Sequence, residues 1–300
     1  QVLTEGFKLD FSTPPKKQVV RNNQSALKNP TFVGYSIQTM AELGIVSEVK
    51  KQDIHCINPL SLVDTGKVRL VLDLSRTVNP VSQYKKISLG ALQDFNQAIQ
   101  PGDYMGIADI TNAYYHVPVN EAHRKYLGFQ WKFPDGKTKY YVFNVLVLGS
   151  NKAVAFFHSL LVPIIAYCNL HGVPVVGYID DFRTHARTLE KCRENLAFLK
   201  TTLERAGFLL SEKTPKEPAQ VLKFLGILND TRNMIYTMPP EKKAKYKAQI
   251  DRLITEKATS LTQLAALNGS LAHMSIATGP ILSVLTRSLN DVIAKFVELL

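Results

Sequence analysis

Two adjacent acids, Asp180 and Asp181, close the run Tyr178-Ile179-Asp180-Asp181, and a third, Asp109, stands near the end of the apolar stretch 104–110. Neighbouring carboxylates repel one another, so a site that gathers three of them is unfavourable unless cations occupy it. Aspartate oxygens suit hard divalent ions such as Mg²⁺, which keep several waters and are shared with substrate phosphates. Two such ions, about 3.5–4 Å apart, can clamp an in-line phosphoryl displacement. Taken alone, an Asp-rich turn held by side chain to backbone bonds has the same spelling.

Carboxylates can converge only if strands carry them to one place. Val175, Val176, Tyr178 and Ile179 read as one strand, and Phe182 with Thr184 starts another, which sets the Asp pair at the tip of a tight hairpin. Residues 104–110 form an earlier strand. Between the two lie a helical stretch at 121–127 and a hairpin within 131–147 that turns at Asp135-Gly136. A mostly apolar helix follows at 152–170, where Pro163 is expected to kink or break it. Beyond the pair, Leu189, Cys192, Leu196, Leu199 and Leu203 keep the three-and-four spacing of an amphipathic helix, stopped at Gly207. Strand-like pieces at 208–210 and 221–228 come next, then a turn around 229–233. This β-α-β-β-α-β rhythm is the split βαβ, ferredoxin-like arrangement, with Asp109 on one strand and the pair on a neighbouring hairpin.

Upstream, a helix at 35–43 ends at Gly44, and 67–74 alternates as a strand with Arg69 and Asp73 on one face. The last sixty residues change character: Lys242, Lys243, Lys245, Lys247 and Arg252 crowd one helix, 261–271 forms another, and the region reads as a mostly helical subdomain. The 300 residues hold one large domain or two to three subdomains, and 45% hydrophobic content is enough for a real core. A formal charge of +11 favours a polyanionic partner, with nucleic acid ahead of a membrane surface. No apolar run approaches the roughly 20 residues of a membrane span, and no signal-peptide pattern opens the chain. Cys56, Cys168 and Cys192 lie far apart and read as free buried thiols of an intracellular protein. His116, His123, His158 and His185 show no metal-ligand spacing and receive no role.

Five segments, in this order, resemble the reverse transcriptase family over about residues 2 to 290. Val68-Arg69-Leu70-Val71-Leu72-Asp73-Leu74 is similar to its fingers strand after a Gly-Lys turn. Ala108-Asp109-Ile110-Thr111-Asn112-Ala113-Tyr114-Tyr115-His116-Val117-Pro118-Val119, continued by residues 123–129, resembles the first catalytic motif. Tyr178-Ile179-Asp180-Asp181 matches the metal box, 207–213 resembles the helix-turn with its lysine, and Phe224-Leu225-Gly226-Ile227 resembles the primer-grip hairpin. Within the family, 162–167, 172–181, 261–271 and Gly279-Pro280 resemble DIRS-type, tyrosine-recombinase retrotransposons.

The resemblance implies an α+β right-hand polymerase: fingers at 1–84 and 117–146, a ferredoxin-like palm at 85–116 and 147–229, and a mainly helical thumb/connection at 230–300. It implies a retrotransposon RNA-directed DNA polymerase that uses dNTPs on a primed RNA or DNA template, with RNase H and recombinase regions following in the full-length protein. Asp109, Asp180, Asp181 and the Ile110 carbonyl would hold two Mg²⁺ ions, with Mn²⁺ as a substitute. Tyr114, beside Ala113, would lie under the incoming sugar and exclude a 2′-hydroxyl. Lys67 and Arg69 would meet the triphosphate, or line a solvated strand face. Lys213 would protonate pyrophosphate as general acid, or be a plain surface lysine. Tyr178, Leu225, Gly226, Lys242, Lys243, Lys245 and Lys247 would contact the template-primer, the lysines through its backbone and without regard to sequence.

The chain departs from the family pattern in three places. Val63-Asp64-Thr65 offers an acid where a basic residue is usual, and Asn112 stands where an acid is common. The nucleotide floor, usually Pro-x-Gly-x-x-x-(Ala/Ser)-Pro, here reads Val147-Leu148-Gly149-Ser150-Asn151-Lys152-Ala153-Val154, without prolines and with an added lysine. Gly149 and Phe157 remain. The alternative reading of these changes is a catalytically impaired or co-opted copy that serves as a nucleic-acid-binding or scaffold protein.

Overall fold

The computed structural model describes residues 5–64, 66–83, 87, 89, 97–256 and 259–298. The chain divides into two compact units, the first formed by Gln1–Leu89, Ile110–Ala166 and Leu203–Leu210, the second by Gly90–Asp109, Tyr167–Thr202 and Ser211–Leu300.

In the first unit, aromatic and β-branched residues build a five-stranded mixed sheet in the order Gln18–Val19, Cys56–Ile57, Gly128–Lys132, Thr138–Phe143, Val46–Val49. Its central hairpin turns where Asp135-Gly136 led us to expect, with Gly136 at φ 81° and the Asp135 carboxylate accepting the Lys137 N–H at 3.0 Å. Phe129 stacks on Tyr141 at 5.3 Å and meets Phe143 at a tilt at 5.5 Å, and all three are buried. The upstream helix is Pro30–Glu42, longer than expected because Pro30 pre-sets its first turn, and Gly44 at φ 69° ends it. A separate hairpin pairs Leu60–Asp64 with Val68–Leu72. The helix expected over 121–127 is one turn, Glu121–Arg124, capped by the Asn120 side chain.

In the second unit, Tyr104–Asp109, Asp181–Ala186 and Val175–Tyr178 form an antiparallel sheet with Asp181–Ala186 in the centre. The isolated bridge Met105↔Ala219 continues it on the outer side of Tyr104–Asp109. The ferredoxin-like rhythm is therefore present with its last strand reduced to a bridge. Helix Leu189–Arg205 buries Cys192, Leu196 and Leu199, and Leu196 lies against Gly106, where an added Cβ would sit 3.1 Å from its Cδ2. The stretch 221–228, expected as one strand, is two: Val221–Phe224 and Ile227–Asp230 pair back on each other. Leu225 (φ 49°) and Gly226 (φ 74°) both take left-handed backbone, which reverses the chain in two residues. Ile235–Thr237 completes this second sheet.

The terminal helices are Pro240–Glu256, Leu261–Thr278 and Pro280–Glu298. Ser260 and Gln263 start the middle one with a reciprocal capping box. Met274 joins Ile99, Met105, Ile107, Leu222, Phe224 and Ile227 in one core, with Tyr246, Ile276 and Leu282 packed on its edge. These helices thus close over the sheet that carries the acids.

Helix Ala153–Leu170 runs through Pro163 without the break that was one of the two expected outcomes there. The proline removes one N–H, and its turn lies on an exposed side where water can satisfy the freed Ser159 carbonyl. The same helix is long and apolar enough to cross a membrane by length and composition, which corrects the expectation that no run came near that size. Here it buries Phe157, Leu161 and Cys168 against protein. All three cysteines are free and buried.

Candidate active site

Two residues, Ile179 and Asp180, connect the paired strands, and Ile179 sits at φ 57°. Left-handed backbone costs a side-chain-bearing residue about 1–2 kcal/mol, and a β-branched one is a genuine outlier there. Such strain persists only where the surroundings impose it, and it is concentrated at functional sites. In this register Asp181 stands directly opposite Asp109 across the sheet and opposite Tyr178 in its own hairpin.

The three acids sense one another. Burial pushes the Asp181 carboxyl up to about 6, and the charges of Asp180 and Asp109 add to the shift. Asp109 is also raised, by burial and then by Asp180, with the Ser211 hydroxyl pulling it back. No basic group contributes to either shift. An oxygen-only set of mutually repelling carboxylates fits hard divalent cations. Among the described residues, no three His, Cys, Asp or Glu side chains form a closed metal-binding group. The raised Asp181 gives a signed expectation. Between about pH 4 and pH 6 the folded state holds a proton that the unfolded chain has released, so cation-free stability falls as pH rises through that window. Asp181→Asn removes the cost. In EDTA at pH 7.5 it raises stability by about 1 kcal/mol, discounted for partial exposure, which is a few degrees in Tm. The gain disappears below about pH 4, and a thermal melt at both pH values checks it.

Ser211 escaped the sequence reading. Its N–H donates to the Asp109 carbonyl at 2.8 Å, and its side chain also bonds the Lys213 N–H at 3.3 Å. Lys213 itself is exposed. At the other hairpin, Leu225 and Gly226 form the turn, and the Lys242 amine covers Gly226 so closely that a Cβ there would meet Nζ at 2.3 Å. Burial and the nearby Lys223 charge lower the Lys242 pKa. His273 reaches the Leu225 carbonyl at 3.1 Å, a contact no sequence motif signals. Lys243, Lys245 and Lys247 are exposed along helix Pro240–Glu256. The second unit therefore gathers Asp109, Asp180 and Asp181 in one sheet, and Leu225, Gly226 and Lys242 at one turn.

In the first unit, Asn112 holds left-handed backbone (φ 50°, ψ 45°) ahead of the 3₁₀ turn Ala113–His116. Asparagine tolerates that conformation better than most residues, a local reason for its presence where an acid is common. Ala113 is buried, and Tyr114 meets Phe157 edge-on at 5.5 Å and 83°. Lys67 and Arg69 are exposed on the Val68–Leu72 hairpin. The unusual acid before them, Asp64, accepts the Gly66 N–H at 2.9 Å and shapes the turn.

The segment 147–154, which lacks the prolines of the family pattern, is held by hydrogen bonds to Asn79. Asn79 donates to the Gly149 carbonyl at 2.9 Å and accepts the Asn151 N–H at 3.1 Å, while Asn151 donates back to the Asn79 carbonyl at 3.3 Å. The added Lys152 bonds the Asp10 carbonyl and carboxylate at 2.9 and 3.3 Å. Gly149 is required for close approach, since a Cβ there would lie 1.6 Å from the Leu72 carbonyl oxygen. Asn79 stands about seventy residues from the segment it holds, so spacing could not reveal the pairing.

Solved structures with the same fold are those of the foamy viral protease-reverse transcriptase. The form in complex with RNA/DNA hybrid has a TM-score of 0.73 and 17% identity, over 96% of this chain and 36% of that one. A second form in complex with double-stranded DNA has 0.69 and 19%, over 95% and 48%. A third, also with double-stranded DNA, has 0.68 and 19%, over 96% and 57%. The chain thus spans less than two thirds of these proteins, and the likeness establishes the α+β right-hand polymerase fold. No protein of curated function matches the sequence. The sequence pattern of the reverse transcriptase (RNA-dependent DNA polymerase) family matches residues 57–228, a span that includes Asp109, the strained hairpin with Asp180 and Asp181, and the floor at Gly149. With more than half of its length matched, the chain belongs to the reverse transcriptase family.

Proposed function

We propose that this chain polymerises DNA on a primed RNA or DNA template by two-metal nucleotidyl transfer from dNTPs. The observation that carries the reading is the register placing Asp181 opposite Asp109, with Asp180 at the strained tip beside them. Asp109 and Asp180 would hold both ions, with Asp181 supporting them and the Ile110 carbonyl completing one shell. When bound, two Mg²⁺ (or Mn²⁺) ions would lower the pKa of the primer 3′-hydroxyl and stabilise the departing pyrophosphate. Ser211 restrains the Asp109 carboxylate, and Lys213, two residues on, supplies the proton to pyrophosphate. Lys67 and Arg69 orient the triphosphate, and Gly149 lets the floor approach the strand behind it. Tyr178, Leu225 and Gly226 hold the primer, while Lys242, Lys243, Lys245 and Lys247 neutralise backbone phosphates.

In the same reading 1–84 and 117–146 are fingers, 85–116 and 147–229 palm, and 230–300 thumb/connection. The chain acts in water rather than in a membrane. Its motif spelling supports a DIRS-type retrotransposon origin, with RNase H and recombinase regions elsewhere in the full-length protein. The altered floor favours a second reading, a copy that binds nucleic acid or serves as a scaffold without polymerising. Against it, Asn79 and Asn151 hydrogen-bond this segment in place although its prolines are absent.

Sugar selection tests the polymerase reading at Tyr114. Replacing Tyr114 by Ala lowers the dNTP over rNTP preference in kcat/KM about a hundredfold, mainly through faster rNTP incorporation. Single-nucleotide incorporation with matched dATP and ATP measures this, and an unchanged ratio removes Tyr114 from the gate.

A further inference from the structure

Both ring nitrogens of His116 are engaged. Nε2 accepts the Leu209 backbone N–H at 3.1 Å, and Nδ1 lies 3.3 Å from the Ala113 carbonyl. An amide N–H can only donate and a carbonyl can only accept, so the two contacts together require a neutral ring protonated on Nδ1. The segment that His116 grips is itself fixed: Thr111 donates to the Leu209 carbonyl at 2.9 Å, and Ile110 bridges Leu210.

Two routes lead from this imidazole to Tyr114. Through the backbone, Ala113 and Tyr114 belong to the same short 3₁₀ turn as His116, and the Val117 N–H closes that turn on the Tyr114 carbonyl at 3.1 Å. Through the rings, His116 meets Phe208 at 5.5 Å and 64°, Phe208 meets Phe157 at 5.9 Å and 78°, and Phe157 meets Tyr114 at 5.5 Å and 83°. A single 3₁₀ turn has little stability of its own. The histidine ties it to a bridged strand segment and to the aromatic wall that orients the tyrosine.

We propose that His116 is a positioning residue that sets the Tyr114 ring, and through it the discrimination between deoxy and ribo sugars. This rests on the reading of Tyr114 as the sugar gate. His116 touches no substrate in this account, and its whole effect passes through Tyr114. A glutamine at 116 retains an acceptor able to reach the Leu209 N–H, whereas a leucine fills the volume and accepts nothing.

The test has two arms on the full chain. In the first, ring-¹⁵N-labelled histidine at neutral pH is expected to show His116 protonated on Nδ1 and bare on Nε2. An Nε2-protonated or rapidly averaging ring overturns the proposal, and this arm needs no enzymatic activity. The second arm measures kcat/KM for dATP and ATP in the wild type, His116→Leu, His116→Gln, Tyr114→Ala and the His116→Leu/Tyr114→Ala double variant. His116→Leu is expected to lower the dATP over ATP ratio about tenfold, His116→Gln to restore most of it, and the leucine change to do nothing further without Tyr114. A ratio unmoved by His116→Leu, or a loss that adds in full to that of Tyr114→Ala, overturns the proposal. If His116→Leu fails to fold, His116→Phe, which likewise offers no acceptor to the Leu209 N–H, takes its place in the same ratios. A wild type that incorporates neither nucleotide fails the polymerase reading and the gate with it, while the ¹⁵N arm still decides whether the His116 staple exists.

Discussion

Asp180→Asn stops primer extension, slowing it about a thousandfold or more, and leaves template-primer binding intact or tighter. The substitution is nearly isosteric at the hairpin tip, so the strands Val175–Tyr178 and Asp181–Ala186 keep their pairing. What changes is charge. Asp180 raises the pKa of both Asp109 and Asp181, so losing it relaxes the repulsion that a divalent cation offsets. The same loss removes a negative charge facing an anionic duplex, which is why binding does not suffer. Rapid-quench extension and fluorescence anisotropy on one template-primer separate the two quantities. Normal extension by the variant means that Asp180 does not hold the ions.

Gly149→Ala has the largest expected effect on folding. Its new methyl group would stand 1.6 Å from the Leu72 carbonyl oxygen and 2.8 Å from the carbon behind it. These are backbone atoms of a strand paired with Leu60–Asp64, so no flexible side chain can swing aside. Asn79 holds the glycine from the other direction through its carbonyl. The expected cost is about 3 kcal/mol or more, visible as a lower urea midpoint. Gly269→Ala is the contrast: it lies in helix Leu261–Thr278 with nothing within 4 Å of its added Cβ. Alanine there stabilises by up to about 1 kcal/mol. If Gly149→Ala unfolds at the wild-type midpoint, the segments are not that close in solution.

The hairpin that carries the acids was legible because apolar residues run up to a polar tip, a pattern local in sequence, but its tip is Ile179-Asp180, one residue before the expected Asp pair, and Asp181 already belongs to the second strand. The helix 189–205 was legible for the same reason, its apolar spacing being intact. The apolar pattern of 221–228 misled, since every residue but Lys223 and Gly226 is apolar, and the reversal at Leu225-Gly226 was legible only through the likeness of Phe224-Leu225-Gly226-Ile227 to the primer-grip hairpin. Pro163 does not break its helix, an outcome that depends on which side of the helix faces water. The acids and Tyr114 were singled out by motif. Ser211, Asn79, His273 and His116 were not, since each acts through a partner remote in sequence or through a backbone group that has no spelling. The altered floor shows the limit most plainly. Two missing prolines looked like damage in the sequence, and the asparagine that hydrogen-bonds the segment lies about seventy residues away.

The most direct test of the polymerase reading is extension of an oligo(dT) primer on poly(rA) with dTTP and Mg²⁺, run beside Asp109→Asn. Extension by the wild type that vanishes in the variant is the predicted result. No extension by the wild type with Mg²⁺ or Mn²⁺ on this or other templates, while the template-primer is still bound, contradicts the reading and leaves a nucleic-acid-binding protein without polymerase chemistry.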